Sequence, residues 1–228
     1  MIRPIRYYGD PVLRKAAKPV TRFDEELDSL VKDMRETMYA YNGVGIAAPQ
    51  VGESLRVFLA LEFGPHDDPH DDPHDDRAEG AEAVDTSEEE ERDLERMSPE
   101  EKRRHWGVVA EHVMVNPELR DLSGSQYGRD GCLSLPGLFV EEMRRDRKLR
   151  VDYQDLGGRP HTLTTEGHFA HVIQHEYDHL DGVLFIDWLD EGARRAFMDE
   201  HRQALAEMQR EAKALLKELK REPRAVQG

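Results

Sequence analysis

A dense run of negative charge interrupts this chain and decides where a folded core can form. Residues 62–101 contain 18 acidic side chains and three arginines, so this stretch has a net charge of −15. Within it, Pro-His-Asp-Asp is repeated three times, over positions 65–76. Because dense like charge and recurrent proline oppose both helix and sheet, we expect a disordered acidic insert over residues 62–105. The glutamate-rich residues 87–104 also have the composition of a short charged helix.

The histidines of this insert raise the question of metal binding. His66, His70 and His74 recur every four residues, with carboxylates between them. This pattern is compatible with a weak metal-trapping tract. It is equally typical of a solvated acidic linker, and we favour the linker because the spacing implies no fixed geometry.

Outside the insert the chain is nearly neutral, and this excludes several classes of function. The 228 residues have a net charge of −16, so the remainder has a net charge of −1. Without a basic excess, a DNA-binding body is disfavoured. A single cysteine, Cys132, rules out an internal disulfide framework and favours a reducing compartment. No signal-peptide core or membrane-length apolar stretch is found, so we expect a cytoplasmic monomer that does not bind membranes.

Apolar spacing predicts the regular elements on both sides of the insert. Helices are predicted over residues 24–41, 166–180 and 191–221. Short apolar or alternating runs predict strands, which lie at residues 55–61, 108–115 (ending at Asn116-Pro117), 131–135, 149–153 and 162–164.

The strongest chemical signal is the sequence His175-Glu176-Tyr-Asp-His179. On a helix, positions i and i+4 project from the same face, so His175 and His179 can share one metal ion. Such an ion lowers the pKa of a bound water towards about 7, and the adjacent Glu176 can accept its proton. The competing interpretation is two surface histidines on an amphipathic helix.

Catalytic metal sites usually use three protein ligands, so a third ligand must be found. In metzincin proteases it would be a histidine, but Phe185 occupies that position. In a thermolysin-like zinc endopeptidase it would be a carboxylate, for which Asp199 and Glu200 are candidates. Cys132, which lies 43 residues before His175, is the third candidate. Its alternative role is that of a small buried apolar side chain.

Three stretches resemble the signatures of one enzyme family, and they occur in the family order. They are Gly43-Val-Gly-Ile-Ala-Ala-Pro-Gln50, Asp130-Gly-Cys-Leu-Ser-Leu-Pro136 and Gln174-His-Glu-Tyr-Asp-His-Leu-Asp-Gly182. The family is that of the peptide deformylases, which remove the formyl group from the N-terminal methionine of newly made proteins. The resemblance covers roughly residues 1–61 and 106–190, and excludes the insert.

The resemblance implies a metal-dependent hydrolase, with one divalent ion, Fe²⁺ or else Zn²⁺, Ni²⁺ or Co²⁺. Its metal ligands would be Cys132, His175 and His179. Glu176 would be the general base and acid for attack of metal-bound water on the formyl carbon. The substrate oxygen would face the side chain of Gln50 and the backbone N–H of Leu133. The residues expected to bind the formyl-methionyl peptide are Gly43, Val44, Gly45 and Val172.

The predicted elements and the resemblance together give an expected architecture. The expected fold class is α+β, with antiparallel sheets around a central helix that carries the histidines, and a long C-terminal helix. We expect a catalytic domain over residues 1–190, which contains the insert, and a charged helix and tail over residues 191–228. Asp130 stands where the family commonly has glutamate, and Arg144 is its expected partner.

A second class of function is a metal-holding module that binds the ribosome without catalysis. Residues 210–224 hold six basic and three acidic side chains, so this helix end could contact ribosomal RNA. An ordinary solvated helix explains the same pattern, and the sequence favours it.

Overall fold

A computed structural model describes residues 1–64, 93–94 and 96–221 of the chain. Its α-helices are α1 (Glu25–Ala40), α2 (Pro99–His105), α3 (His168–Leu180), α4 (Glu191–Glu200) and α5 (Arg202–Leu219). Its strands are β1 (Gly45–Ala47), β2 (Val57–Phe63), β3 (Val108–Ser123), β4 (Gln126–Cys132), β5 (Leu135–Arg145), β6 (Lys148–Gln154) and β7 (Pro160–Glu166). Among the described residues, no helix is both long and apolar enough to cross a membrane.

The strands form two antiparallel units. A five-stranded sheet has the order β1-β2-β3-β6-β7, and β4 pairs with β5 in a separate hairpin. The predicted α+β class with antiparallel sheets is therefore confirmed.

Strand β2 is buried on both faces, which explains its continuous apolar run. Val57 and Leu59 belong to the same apolar cluster as the inner face of α1. Phe58 and Ala60 point the other way, into the cluster that contains the inner face of α3. Burial of each large apolar side chain contributes about 1.5–3 kcal/mol to the stability of the fold. The two faces of this strand therefore hold α1 and α3 on opposite sides of the sheet.

Helix α3 lies between the sheet and the hairpin, as the central helix predicted from the sequence. One side of it packs on β1 and β2. On the other side, the Gln174 side chain bonds the backbone of Asp146, accepting its N–H at 3.0 Å and donating to its carbonyl at 2.8 Å. Arg145, at the end of β5, also donates to Asp178 of α3 at 2.6 Å. The helix is thereby clamped from two directions.

Strand β3 continues through the Asn116-Pro117 pair, where the sequence predicted its end. The β3–β6 register shifts between Val115 and Glu118, which accommodates a proline that has no N–H to give to the ladder. Asn116 adopts a positive φ of 50°, and its side chain bonds both the N–H and the carbonyl of Val20. The bulge replaces the predicted strand end.

The predicted helix over 191–221 is divided into α4 and α5 at His201, where ψ is 18°. Apolar side chains from both helices, Phe197, Leu205 and Met208, join a cluster with Leu135 of the hairpin and Phe185. The C-terminal helices are therefore packed against the β4–β5 hairpin and the residues around Phe185.

Both ends of the predicted 62–105 insert are regular structure, and its boundaries are corrected accordingly. Glu62 and Phe63 complete β2 and pair with β3. At the other end α2 begins after Ser98, whose side chain caps the N–H of Glu101. Within the stretch whose composition suggested a short charged helix over residues 87–104, α2 occupies Pro99–His105. The three histidines of the acidic repeat lie outside the described residues.

Candidate active site

Three potential metal-ligating side chains converge where the hairpin meets α3. Cys132 ends β4, and His175 and His179 lie on consecutive turns of α3. One donor atom from each, the Cys132 sulfur and a ring nitrogen of each histidine, lies within 4.8 Å of the other two. The sulfur is 3.2 Å from Nε2 of His179. Among the described residues, these three form the group of His, Cys, Asp or Glu side chains that lie close enough together to hold a metal ion.

The chemistry of this donor set fits a divalent transition metal. A thiol and two imidazoles together suit ions such as Zn²⁺ and Fe²⁺. Both histidines are buried, and burial together with the charge of His175 holds the pKa of His179 well below its ordinary value. A neutral imidazole keeps its lone pair available for a metal. If these three side chains held a metal, they would leave a further coordination position for water or substrate, as in catalytic metal sites.

Asp130 orients the first histidine. Its Oδ1 lies 2.6 Å from Nδ1 of His175, which leaves Nε2 as that ring's metal-binding atom. Burial alone would raise the pKa of this carboxyl, but His175, His171 and Arg145 together hold it well below its ordinary value. For His175 the balance is similar, because burial lowers its pKa while Asp130 and Cys132 raise it well above 6.5.

The partner of Asp130 is Arg145, so the expectation of Arg144 was wrong. Arg145 donates to Asp130 at 2.8 Å and to Asp178 at 2.6 Å, whereas Arg144 bonds Ser125 at the surface. The reason is that side chains alternate between the two faces of β5. Met143 is buried, and Arg145, two residues later, points to the same buried face, whereas Arg144 is exposed. This period of two was a signal in the sequence that would have identified the correct arginine.

Replacing Arg145 by methionine is expected to lower the free energy of unfolding by about 3–5 kcal/mol, because it leaves the buried Asp130 and the partly buried Asp178 without their arginine. The Arg145 and Asp130 side chains are each only 2 % exposed. Urea unfolding followed by circular dichroism measures the change. Arg144→Met is the matched control, since it removes a surface arginine from the neighbouring position. Equal stabilities of the two variants would contradict this role of Arg145.

Glu176 is buried beside the donor cluster and packs against a glycine. Burial raises the pKa of its carboxyl to about 8. Its Oε2 has no hydrogen-bond partner among the described residues, and the side chain lines the same cavity as Cys132 and His175. A Cβ added to Gly45 would lie 2.4 Å from Oε1 of Glu176. Only glycine at position 45 leaves room for this carboxylate.

Gln50 presents its amide nitrogen to the cluster. Its Oε1 accepts the N–H of Ala47 at 2.8 Å, so the other end of the amide, Nε2, points towards the sulfur of Cys132 at 3.4 Å. Leu133 follows Cys132 directly and lines the same cavity. A side-chain N–H and the backbone around Leu133 are therefore close to the three metal-ligating atoms.

The cavity in front of these groups has a volume of about 430 Å³. The four residues predicted to bind substrate, Gly43, Val44, Gly45 and Val172, all line it. His171 also lines it, and its Nε2 lies 3.2 Å from Oδ2 of Asp130. The space is large enough for a methionine side chain and the adjoining peptide backbone.

The carboxylates of the endopeptidase alternative lie elsewhere. Asp199 is exposed on α4 and forms an ion pair with Arg202 at 2.6 Å. Glu200 ends the same helix and is also exposed. Neither belongs to the group of described side chains that could hold a metal, whereas Cys132 does belong to it, together with the two histidines.

Comparison with known proteins agrees with this geometry. The family model described as polypeptide deformylase matches residues 2–195. A peptide deformylase of Thermus thermophilus is 43 % identical over 219 residues, which are 96 % of this chain and 98 % of that protein. One of Acidothermus cellulolyticus is 42 % identical over 204 residues, covering 89 % and 87 % of the two chains.

Solved structures give the same answer. The crystal structure of peptide deformylase from Thermus thermophilus matches with a TM-score of 0.70 and 39 % identity, over 92 % of this chain and 99 % of that one. That from Thermotoga maritima matches with a TM-score of 0.60 and 36 % identity, over 83 % and 99 %. With its family model matched over most of its length and relatives above 40 % identity, the chain belongs to the polypeptide deformylase family.

Proposed function

We propose that this enzyme removes the formyl group from the N-terminal methionine of newly made proteins and releases formate, with Cys132, His175 and His179 holding one metal ion. The observation that carries the proposal is the convergence of these three donor atoms within 4.8 Å, in a cavity that they share with the buried carboxyl of Glu176. When bound, the ion supplies a Lewis acid that activates water and polarises the formyl carbonyl.

We propose Fe²⁺ as the native ion, on the family resemblance, with Zn²⁺, Ni²⁺ or Co²⁺ able to take its place. The donor set alone would accept any of these ions. Because the thiol of Cys132 can oxidise, the protein should be prepared without oxygen. Metal analysis of such a preparation distinguishes the four ions.

Glu176 is the proposed general base and acid. Its carboxylate takes a proton from the attacking water, whose oxygen becomes part of the formate. As the C–N bond of the formamide breaks, the same group gives the proton to the departing amine. A carboxyl whose pKa lies near neutrality suits both transfers, and burial places the pKa of Glu176 at about 8.

Gln50 and the backbone N–H of Leu133 are proposed to stabilise the negative charge that develops on the carbonyl oxygen. The bond from Ala47 to Oε1 fixes the Gln50 amide, so its N–H groups are preorganised towards the reaction centre. Gln50→Leu is expected to lower kcat by about a hundred- to a thousandfold. Gln203→Leu, at an exposed position of α5, is the control and should keep full activity. A Gln50 variant within a few-fold of the wild type would exclude this role.

The backbone of Gly43, Val44 and Gly45 is proposed to pair with the substrate peptide as an added strand. The two glycines let another backbone approach closely. Val44 and Val172, which both line the cavity, are the proposed walls for the methionine side chain.

The activity is tested by offering formyl-methionyl and acetyl-methionyl versions of one peptide. The proposal predicts formate and a free N-terminus from the first, with the interior peptide bonds intact. Cleavage of interior bonds instead would favour the endopeptidase alternative.

The charged segment 191–228 is proposed to bring the catalytic domain, residues 1–190, to its nascent substrates through ribosomal RNA. Lys213, Lys217, Lys220 and Arg221 share one surface at the end of α5. We propose a cytoplasmic monomer that does not bind DNA or membranes.

Changing Lys213, Lys217 and Lys220 together to glutamate should abolish co-sedimentation with ribosomes at low salt, because phosphate binding depends on these charges. Deformylation of a free peptide should be unchanged. This triple variant is preferable to a truncation, since α4 and α5 cover the cluster around Leu135. Unchanged co-sedimentation would refute the contact.

A further inference from the structure

Helix α2, at the end of the acidic segment, is seated beside the active-site cavity. We propose that Lys102 of this helix is a positioning residue that holds residues 41–45, the substrate-binding loop, in the conformation that receives the peptide. This inference rests on the proposed function and assigns a role to a part of the chain that the family resemblance did not cover.

Lys102 is a buried lysine with fixed partners. It is only 3 % exposed, and its Nζ lies 2.6 Å from the carbonyl oxygen of Tyr39 and 2.6 Å from Oδ1 of Asn42. Lysine is almost never buried to this degree unless its charge is paired or hydrogen-bonded. Both acceptors lie at the C-terminal end of α1, where the unsatisfied carbonyls favour a cation. The ammonium group therefore ties the end of α1 to the first part of the loop.

Helix α2, which carries Lys102, is stabilised at both of its ends. Ser98 and Glu101 form a capping box at its N-terminus, with Oε2 of Glu101 accepting the Ser98 N–H at 2.7 Å. At its C-terminus the Trp106 ring stacks on Tyr39 with centroids 6.1 Å apart. Lys102 thus reaches the loop from a docked element rather than from a free surface.

The loop leads directly from Lys102 to the reaction centre. Asn42 has a positive φ of 54°, and Gly43 bonds back to the carbonyl of Met38 at 2.9 Å. Residues 41–45 all line the active-site cavity. At the far end of the loop, Gly45 packs against the Glu176 carboxylate without room for a Cβ. A shift of the loop would therefore change the backbone that is offered to the peptide.

Lys102→Met is the principal test, with KM and kcat measured separately for formate release from a formyl-methionyl peptide. A hydrogen bond to a charged group is lost, so we expect KM to rise by about ten- to a hundredfold. The catalytic atoms stay in place, so kcat and metal content should change little. Arg104→Met, an exposed position on the same helix, is the matched control and should leave KM unchanged.

A second pair of variants leaves the buried lysine in place. Asn42→Asp keeps an oxygen for Lys102, whereas Asn42→Ala removes it, so KM should rise less for the aspartate than for the alanine. In the double variant Lys102→Met/Asn42→Ala, the increase in KM should be smaller than the product of the two single increases, because both substitutions remove the Lys102–Asn42 hydrogen bond.

Three results would overturn the inference. An active Lys102→Met protein with wild-type KM and only a lower unfolding temperature would make Lys102 purely structural. If Lys102→Met does not fold, equal KM values for Asn42→Asp and Asn42→Ala would overturn the inference. A fully metallated wild-type protein that releases no formate would instead overturn the proposed function, and this inference with it.

Discussion

Replacing Glu176 by alanine is expected to lower kcat for formate release by about a hundred- to ten-thousandfold, with metal content unchanged. The carboxyl is the proton acceptor and donor of the proposed reaction, and it is not one of the three proposed metal ligands. Burial raises the pKa of this carboxyl to about 8, near the range in which a group can both accept and donate a proton at neutral pH. Steady-state formate release and metal analysis on the same preparations measure both quantities.

The choice of replacement separates proton transfer from packing. Glu176→Gln keeps the volume against Gly45 but cannot take a proton, so its kcat should fall as far as that of the alanine variant. Glu166→Gln, on an exposed position at the end of β7, should retain full activity. If the glutamine variant were nearly as active as the wild type, Glu176 would serve packing alone.

Replacing Cys132 by serine is expected to remove most of the bound metal and, with it, formate release. The sulfur is the one donor of the cluster that comes from outside α3, so its loss leaves two histidines on a single helix. Mutating the hydrogen-bond partners of a metal ligand typically lowers metal affinity by about ten- to a hundredfold. We expect the loss of a ligand itself to lower the affinity by more than about a hundredfold. Competition with a chromophoric chelator measures the affinity.

The same variant separates the two hydrolase hypotheses. A zinc endopeptidase with Asp199 or Glu200 as third ligand would keep its metal after Cys132→Ser. Ser134→Ala, two residues along at a buried position, is the control and should bind metal normally. Full metal occupancy in Cys132→Ser would exclude Cys132 as a ligand.

The central helix and its two histidines could be predicted because their signal is local. His175 and His179 are one turn apart, and helical periodicity alone places them on one face. Cys132 is different, since its approach to α3 depends on how the hairpin packs against that helix. Residue chemistry alone left Cys132, Asp199 and Glu200 as alternatives, and only the resemblance of the surrounding stretches distinguished them.

The parts that could not be predicted depend on tertiary contacts or on a local signal inside a biased segment. The strand was expected to end at Pro117, but a bulge absorbs the missing N–H. Composition suggested a charged helix over residues 87–104, but the helix start at Ser98-Pro99 gives α2 the narrower bounds Pro99–His105. Lys102 is buried because Tyr39 and Asn42, which lie 63 and 60 residues earlier in the chain, accept hydrogen bonds from its ammonium group.

The most direct test of the account is a titration of anaerobically prepared, metal-free protein with Fe²⁺, in which formate release is measured at each step. One site made of Cys132, His175 and His179 predicts that activity rises in proportion to added metal and levels off at about one ion per chain. The same titration of Cys132→Ser should stay flat over this range. A wild-type protein that binds one ion per chain and still releases no formate from a formyl-methionyl peptide would contradict the account.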